Sequence, residues 1–209
     1  MTEGVAELQV GDELTVTVGP VAHGGHCVAR HDGRVLFVRH VLPGELVRVR
    51  VHERGQKGRF FRAELLEVLE PSPDRVEPPC KYAGTCGGCD FQHVAGDAQR
   101  RLKAQIVNEQ LSRLGKLDVT EIAWSGVVDA LPDVDPTRPG LAWRTRVRFA
   151  VDAEGQAGLL RHRSHEVVPI DDCLIAHPLV DAREITTTQW PGVDEVSVTA
   201  SPETDDRSV

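Results

Sequence analysis

Three of the five cysteines fall within ten residues, and this stretch constrains the fold more than any other. Cys80, Cys86 and Cys89 follow the spacing C-x5-C-x2-C, with three glycines between them. Glycine lets the backbone pass close to a bound centre and direct N–H groups at its sulfur atoms. A fourth cysteine, Cys173, lies far downstream. Together they could form a four-thiolate site that ties two parts of the chain together.

The spacing of these cysteines favours an iron–sulfur cluster over other uses of thiols. Zinc sites usually pair two short knuckles, whereas this chain has one C-x2-C knuckle and two single cysteines. A [4Fe-4S] cube is larger than one zinc ion and suits ligands distributed along an open loop. From spacing alone, a structural zinc site and unligated thiols remain as alternatives.

Charge is unevenly distributed along the 209 residues, whose formal net charge is −8. Six basic and three acidic residues fall in 80–117, and five basic and two acidic ones in 143–165. Basic segments on an acidic protein allow a local nucleic-acid-binding surface. No apolar run approaches the roughly 18 residues of a membrane helix, and the N-terminus lacks a signal peptide. We therefore predict a cytoplasmic protein with no membrane partner and with reduced cysteines.

Five short β-strands are predicted between residues 6 and 70. Their alternating apolar residues place them at Glu13–Val18, His26–Arg30, Arg34–Val38, Leu46–His52 and Phe60–Leu69. Asp32-Gly33 is a strong hairpin signal between two of them. Five strands in so short a segment predict a small closed barrel. Four prolines in 71–79 predict a linker after it.

Basic side chains follow one face of the fourth predicted strand and continue beyond it. They are Arg48, Arg50, Arg54, Lys57, Arg59 and Arg62. Such a stripe predicts phosphate contacts with RNA. The alternative is a solvated strand face that carries arginine.

After the cysteines, a helix is predicted from an N-cap at Asp97 to a stop at Gly115. A strand is predicted from Trp143 to Val151, with its apolar residues, including Trp143, on one face. The other face of this strand is basic. Two further candidate residues, one aromatic and one histidine, follow the cysteine loop. The additional candidates for RNA contacts are Phe91, His93, Arg144, Arg146 and Arg148.

Several segments carry a family resemblance, and they occur in one order along the chain. They are Gly24-Gly25, Gly33–Val38, Leu42–Glu45, Lys57–Ala63, Cys80, Cys86–Cys89, Phe91–His93, Trp143–Phe149 and His165–Cys173. In these residues the chain resembles the iron–sulfur class of S-adenosylmethionine-dependent RNA (uracil-5-)-methyltransferases. Those enzymes begin with a TRAM domain, an OB-like barrel that binds RNA.

The resemblance implies a mainly β fold with some α-helix. It implies a five-stranded OB-like TRAM barrel in residues 6–70, a linker in 71–79 and an α+β central iron–sulfur domain in 80–209. By the same resemblance, Cys80, Cys86, Cys89 and Cys173 ligate one [4Fe-4S] cluster. The implied partner is rRNA or tRNA rather than DNA, bound by a monomer.

The departure from the family concerns the catalytic machinery, which in those enzymes lies in a C-terminal domain. The one cysteine left over here is Cys27, in a predicted barrel strand. No glycine-rich strand-to-helix turn marks a site for S-adenosylmethionine. We therefore predict no catalytic residue and no bound S-adenosylmethionine in this chain, and interpret it as the truncated RNA-handling front part of a methyltransferase. The alternatives are a stand-alone RNA-binding module with a structural cluster and an iron–sulfur redox sensor.

Overall fold

The computed structural model describes residues 7–209, so residue 6, where the predicted barrel domain begins, lies outside the described residues. The elements are β1 (Glu13–Val21), β2 (Cys27–His31), β3 (Arg34–Val38), β4 (Leu46–Arg54), β5 (Phe61–Glu70), α1 (Gly96–Glu109), β6 (Arg146–Val151), β7 (Ala157–Leu160), β8 (Val167–Pro169), α2 (Ala182–Thr187), β9 (Glu195–Ser201) and β10 (Asp206–Ser208). Short 3₁₀ turns lie at Gln56–Gly58 and Pro178–Val180, and a π-turn at Gln110–Leu114 extends α1. Within residues 7–209, none of the helices has the length and apolar character to span a bilayer.

The first five strands form a closed barrel in the order β1-β2-β3-β5-β4, which confirms the predicted barrel. In this barrel β3 and β5 pair in parallel, and the other neighbours are antiparallel. Val47, Val49 and Val51 point inward and are at most 1% exposed, as the alternation in β4 predicted. Asp32 and Gly33 both take positive φ between β2 and β3, the geometry that a two-residue hairpin turn requires.

A buried ion pair fastens the segment after the barrel to the barrel itself. The carboxylate of Glu45 is fully buried and accepts hydrogen bonds from both Nε and Nη2 of Arg75, at 2.5 and 2.7 Å. It also accepts the backbone N–H groups of Leu42 at 2.8 Å and Ser72 at 3.2 Å. Because four donors converge on this one carboxylate, residues 71–75 are held against the loop between β3 and β4.

The chain divides into two compact units, and the first extends past the predicted linker. It comprises the chain up to Glu77 together with His93–Val128, so α1 groups with the barrel. The predicted N-cap at Asp97 was wrong: α1 begins at Gly96, the residue before it is Ala95, and no side chain caps that end. Asp97 instead pairs with Arg100 on the next turn.

The second unit, Pro78–Gln92 with Asp129–Val209, contains an antiparallel sheet in the order β10-β9-β6-β7-β8. Val147 and Phe149 of β6 are buried in its core, as predicted. Trp143 was predicted on the same buried face but is 46% exposed. The reason is that β6 begins only at Arg146, so the alternation does not extend back to residue 143.

Candidate functional site

The four cysteines that the sequence predicted as cluster ligands all lie in the second unit, and three of them are at its apolar core. Cys173 is part of that core, and Cys86 and Cys89 pack against it. Two polar hydrogens already point at the sulfurs: Gly88 N–H lies 3.3 Å from Cys86 Sγ, and Gln92 Nε2 lies 3.6 Å from Cys89 Sγ. Such contacts are what thiolate ligands of a cluster receive from their protein.

The cysteine loop is fastened to the part of the chain that carries Cys173. Tyr82 Oη donates to Asp171 Oδ1 at 2.9 Å and accepts the Asp171 N–H at 3.0 Å, and Lys81 Nζ lies 2.6 Å from Asp171 Oδ2. Gly87 N–H donates to Leu160 O at 2.9 Å. A Cβ on Gly87 would lie 2.7 Å from that oxygen, so the approach requires glycine. These contacts fix the position of the loop relative to the segment before Cys173.

The thiols influence one another electrostatically. Burial raises the pKa of Cys86, Cys89 and Cys173 above the ordinary thiol value, and neighbouring thiolates raise it further. Cys80 is one of those neighbours for Cys86 and Cys89, and the guanidinium of Arg144 acts in the opposite direction on both. Cys86, Cys89 and Cys173 would therefore be protonated at neutral pH unless a cation replaced the protons.

Within residues 7–209, no three His, Cys, Asp or Glu side chains are grouped so that they could hold a metal ion. The structure therefore does not show the predicted iron–sulfur domain; it places the four predicted ligands in the second unit, with three of them at its apolar core. A mononuclear site needs sulfurs about 2.3 Å from a single ion. A cube with an iron at each ligand spreads its thiolates further apart.

Cys27, the fifth cysteine, is separate from this group. It lies inside the barrel, 2% exposed, and its Sγ donates to Val41 O at 3.4 Å. Burial and the charge of Glu45 raise its pKa to about 12. A thiol with such a pKa is not a nucleophile at neutral pH, and its burial makes Cys27 a core residue of the barrel.

The arginines of β4 do not form an uncompensated basic stripe. Arg48 pairs with Glu13 at 3.4 Å and Glu67 at 2.9 Å, and Arg50 pairs with Glu13 at 2.8 Å and Glu64 at 3.6 Å. Carboxylates on the two neighbouring strands therefore outnumber the arginines between them. We call this set, Glu13, Arg48, Arg50, Glu64 and Glu67, the charge ladder; it attracts phosphate less than the sequence suggested.

Other predicted basic contacts are distributed over both units. In the first, Arg54 pairs with Glu7 at 2.8 Å, whereas Lys57 and Arg59 lie in the β4–β5 turn. In the second, Arg148 lies 3.2 Å from Glu195, while Arg146 is exposed on the outer face of β6. Within the described part of the chain, no ion pair engages Lys57, Arg59 or Arg146.

Arg144, Phe91 and His93 have more specific surroundings. The guanidinium of Arg144 lies 5.7 Å from the ring centre of the exposed Trp143. Phe91 is half-buried. His93 is only 5% exposed, with Nε2 3.5 Å from Val41 O and its ring edge-on to His40. Burial on this scale favours a structural role for His93 over contact with RNA.

Sequence reasoning missed an aromatic group on the barrel surface. Phe37 and Phe60 lie edge-to-face with ring centres 5.5 Å apart, and Arg62 lies 5.1 Å from the centre of Phe60. The alternation in β3 does place Phe37 outward, between the buried Leu36 and Val38. That signal alone could have drawn attention to it, but the contact with Phe60 depends on the pairing of β3 with β5.

A family comparison matches residues 7–66 to the TRAM domain. This region contains the closed barrel except for the last residues of β5, so the match and the fold agree.

Similar sequences extend well beyond the barrel. An uncharacterized RNA methyltransferase of Streptomyces coelicolor is 53% identical over 96% of this chain and 44% of its own length. The 23S rRNA (uracil(1939)-C(5))-methyltransferase RlmD of Halomonas elongata is 39% identical over 78% of this chain and 32% of its own length. The chain thus spans less than half the length of these relatives.

Among solved structures, the tRNA (uracil-54, C5)-methyltransferase of Pyrococcus abyssi, in complex with S-adenosyl-L-homocysteine, matches 91% of this chain and 44% of its own. The TM-score is 0.53 at 16% identity, which shows a shared fold. The comparisons do not support the expectation that the catalytic domain is absent, because the matches run through 96% of the chain and the relatives are methyltransferases.

Proposed function

We propose that this chain, which contains a TRAM domain and is homologous to RNA (uracil-5-)-methyltransferases, supplies the RNA-binding and cluster-holding part of an enzyme that forms 5-methyluridine in rRNA or tRNA. The observation that carries the proposal is 53% identity to an RNA methyltransferase over 96% of the chain. S-adenosylmethionine would be the methyl donor of the complete enzyme. Among residues 7–209 we assign roles in binding RNA and a cluster, and we assign no catalytic role.

The proposed RNA contacts are the basic side chains that acidic neighbours leave uncompensated. Lys57 and Arg59 lie in the β4–β5 turn of the barrel, and Arg146 lies on β6. Arg144 adds a guanidinium beside an exposed indole. Lysine and arginine bind phosphates and release counterions, so binding through them weakens as salt rises. Arg48, Arg50 and Arg54 would contribute less, because each is already paired with a carboxylate.

We propose that Cys80, Cys86, Cys89 and Cys173 hold one [4Fe-4S] cluster. The support is the donor set itself: four thiols in one unit, three of them at its apolar core, two hydrogen-bond donors at their sulfurs, and a loop fixed in position by Tyr82 and Asp171. A cluster bound there would link the loop at residues 80–89 to the segment around residue 173. Its role would be structural, because it would join these two segments of the second unit.

The two alternative functions are less well supported. A stand-alone RNA-binding module would retain the barrel and the cluster, but the similarity to methyltransferases extends through nearly the whole chain. An iron–sulfur redox sensor would account for the thiols and leaves the TRAM domain unexplained. A reversible redox transition that changes RNA affinity would favour this second alternative.

Replacing Arg146 with glutamine is expected to weaken RNA binding for all sequences alike, since phosphate contacts position the protein without reading bases. The slope of log affinity against log salt should fall by about 1, because the variant neutralises one phosphate fewer. The measurement is fluorescence anisotropy of a labelled rRNA fragment with the full chain at several salt concentrations.

Arg48→Gln is the matched control for this experiment. It removes the same charge from a strand face, but that charge is already paired with Glu13 and Glu67. We expect a smaller change in the salt slope. If wild-type binding does not depend on salt, or if the two variants lose affinity equally, the assignment of these contacts is wrong.

A further inference from the structure

We propose that an aromatic group on the outer surface of the barrel, made of His26, Phe37, Phe60 and Arg62, is a binding site for unpaired bases of single-stranded RNA. We call these four residues the stacking patch. The inference rests on the proposed RNA-binding function and names the surface and the form of RNA that it would take. Phe37 lies on β3 and Arg62 on β5, and His26 and Phe60 are the residues directly before β2 and β5.

The rings of the stacking patch form a continuous row. Phe37 lies between the other two rings, 5.5 Å from Phe60 at an interplanar angle of 77° and 6.3 Å from His26 at 81°. Each ring is only partly buried, so part of its surface faces solvent. In an edge-to-face row, neighbouring rings each keep a face that a nucleobase can reach. Every type of nucleobase can stack on such a face.

The local sequence builds this row by alternation and by one glycine. Phe37 points outward because its neighbours Leu36 and Val38 fill the barrel, and Arg62 does so between the buried Phe61 and Ala63. The Phe60 ring lies directly against the backbone of Gly55, where a Cβ would come within 2.3 Å of it. The missing side chain of Gly55 therefore leaves the space that the Phe60 ring occupies at the surface.

Cations surround the patch on the side of the β4–β5 turn. Arg62 lies over Phe60 at 5.1 Å and is held there by Glu53, 2.6 Å away. Lys57 and Arg59 belong to the same turn, which closes through Gly55 N–H and Phe60 O at 2.9 Å. Rings that stack bases beside lysine and arginine that track phosphates are the combination that binds single strands without sequence preference.

The charge of the surroundings favours RNA over a protein partner at this surface. On the strand positions of the charge ladder, three carboxylates surround two arginines. At the stacking patch and the adjoining turn, Glu53 pairs with Arg62 and Glu7 with Arg54, and among the described residues no ion pair engages Lys57 or Arg59. The barrel therefore presents an aromatic, net positive surface at the patch and a net negative one at the ladder. Single-stranded RNA, a polyanion with aromatic bases, complements the surface at the stacking patch.

The test compares two ligands, a labelled oligouridine of about 12 nucleotides, within the range of OB-fold site sizes, and a fully paired RNA duplex without a loop. Both are bound to the full chain. Phe37→Leu and Phe60→Leu keep an apolar side chain and remove the ring. Each is expected to weaken oligouridine binding roughly 5- to 150-fold, the range for losing one stacked base. The affinity for the duplex and the salt slope for both ligands should not change, because the phosphate contacts remain.

Photocrosslinking of the wild-type chain gives an independent measurement that does not depend on variant stability. With 5-iodouridine in the oligonucleotide, adducts are expected on Phe37, Phe60 or His26. Adducts confined to residues 143–148, or unchanged oligouridine affinity in both folded leucine variants, would overturn the stacking patch and leave the proposed function intact. A wild-type chain that binds neither ligand would instead refute the proposed function.

Discussion

Replacing Glu45 with alanine is expected to destabilise the barrel unit by about 3–5 kcal/mol, the cost of leaving the other member of a buried ion pair uncompensated. Arg75 is 20% exposed and directs its Nε and Nη2 at the Glu45 carboxylate. The substitution also leaves the backbone N–H groups of Leu42 and Ser72 without their acceptor. Arg75→Ala should cause a comparable loss, because it leaves the buried carboxylate without its counter-charge.

The stability that the Glu45 carboxylate contributes to the barrel unit depends on pH in a defined direction. Burial acts to raise the pKa of Glu45, but the hydrogen bonds from Arg75, Leu42 and Ser72 outweigh it and hold the pKa below the ordinary glutamate value. A carboxyl with a lowered folded pKa contributes stability above its unfolded pKa of about 4.3. That stability is lost as the pH falls through the folded pKa.

Urea denaturation followed by circular dichroism, with hydrogen–deuterium exchange of barrel amides to localise the change, measures the effect. Glu13→Ala is the control, since Glu13 also pairs with arginine but at the surface. Its effect should be small, because exposed ion pairs contribute little. Equal losses for the two variants, or a stability difference between wild type and Glu45→Ala that does not shrink as the pH falls well below about 4.3, would contradict this prediction.

Replacing Cys173 with serine is expected to remove the [4Fe-4S] cluster. Anaerobically purified wild-type protein should be brown and contain about four irons and four sulfides per chain. The variant would lose a proposed ligand, which lies in the core of the second unit. It should therefore lose most of its iron, and amide protection should fall around residues 80–89 and 173.

Cys27→Ala is the matched control for the cluster, since it removes a thiol that lies inside the barrel. It should keep its full iron content. Elemental analysis and visible absorption provide the measurement. Finding one zinc and no iron in the wild type would show that the site is mononuclear and holds no cluster. Equal iron contents in the wild type and in Cys173→Ser would show that Cys173 is not a ligand.

The sequence predicted the barrel well because its information is local. Strict alternation in β4 and the Asp32-Gly33 turn depend on neighbouring residues, and the structure confirms both. The same reasoning failed at Trp143, where an alternating pattern continued past the point at which hydrogen bonding to β9 begins. Periodicity identifies a face, but only strand pairing determines where that face ends.

The properties of the barrel surface could not be predicted from local pattern because they depend on register. Glu13 neutralises Arg48 and Arg50 only because β1 pairs antiparallel with β4, which brings residue 13 opposite residue 50. Likewise, Phe37 lies opposite Arg62, next to Phe60, because β3 and β5 pair in parallel. These contacts join residues that are distant along the chain, beyond the reach of any local sequence pattern.

The most direct test of the central claim is nucleoside mass spectrometry of rRNA and tRNA from the source organism with and without the gene that encodes this chain. We predict that deletion removes 5-methyluridine from one RNA class and that the intact gene, reintroduced, restores it. Reintroducing the gene with Arg146→Gln should restore it only in part. Unchanged 5-methyluridine in both rRNA and tRNA after deletion would contradict the proposed function.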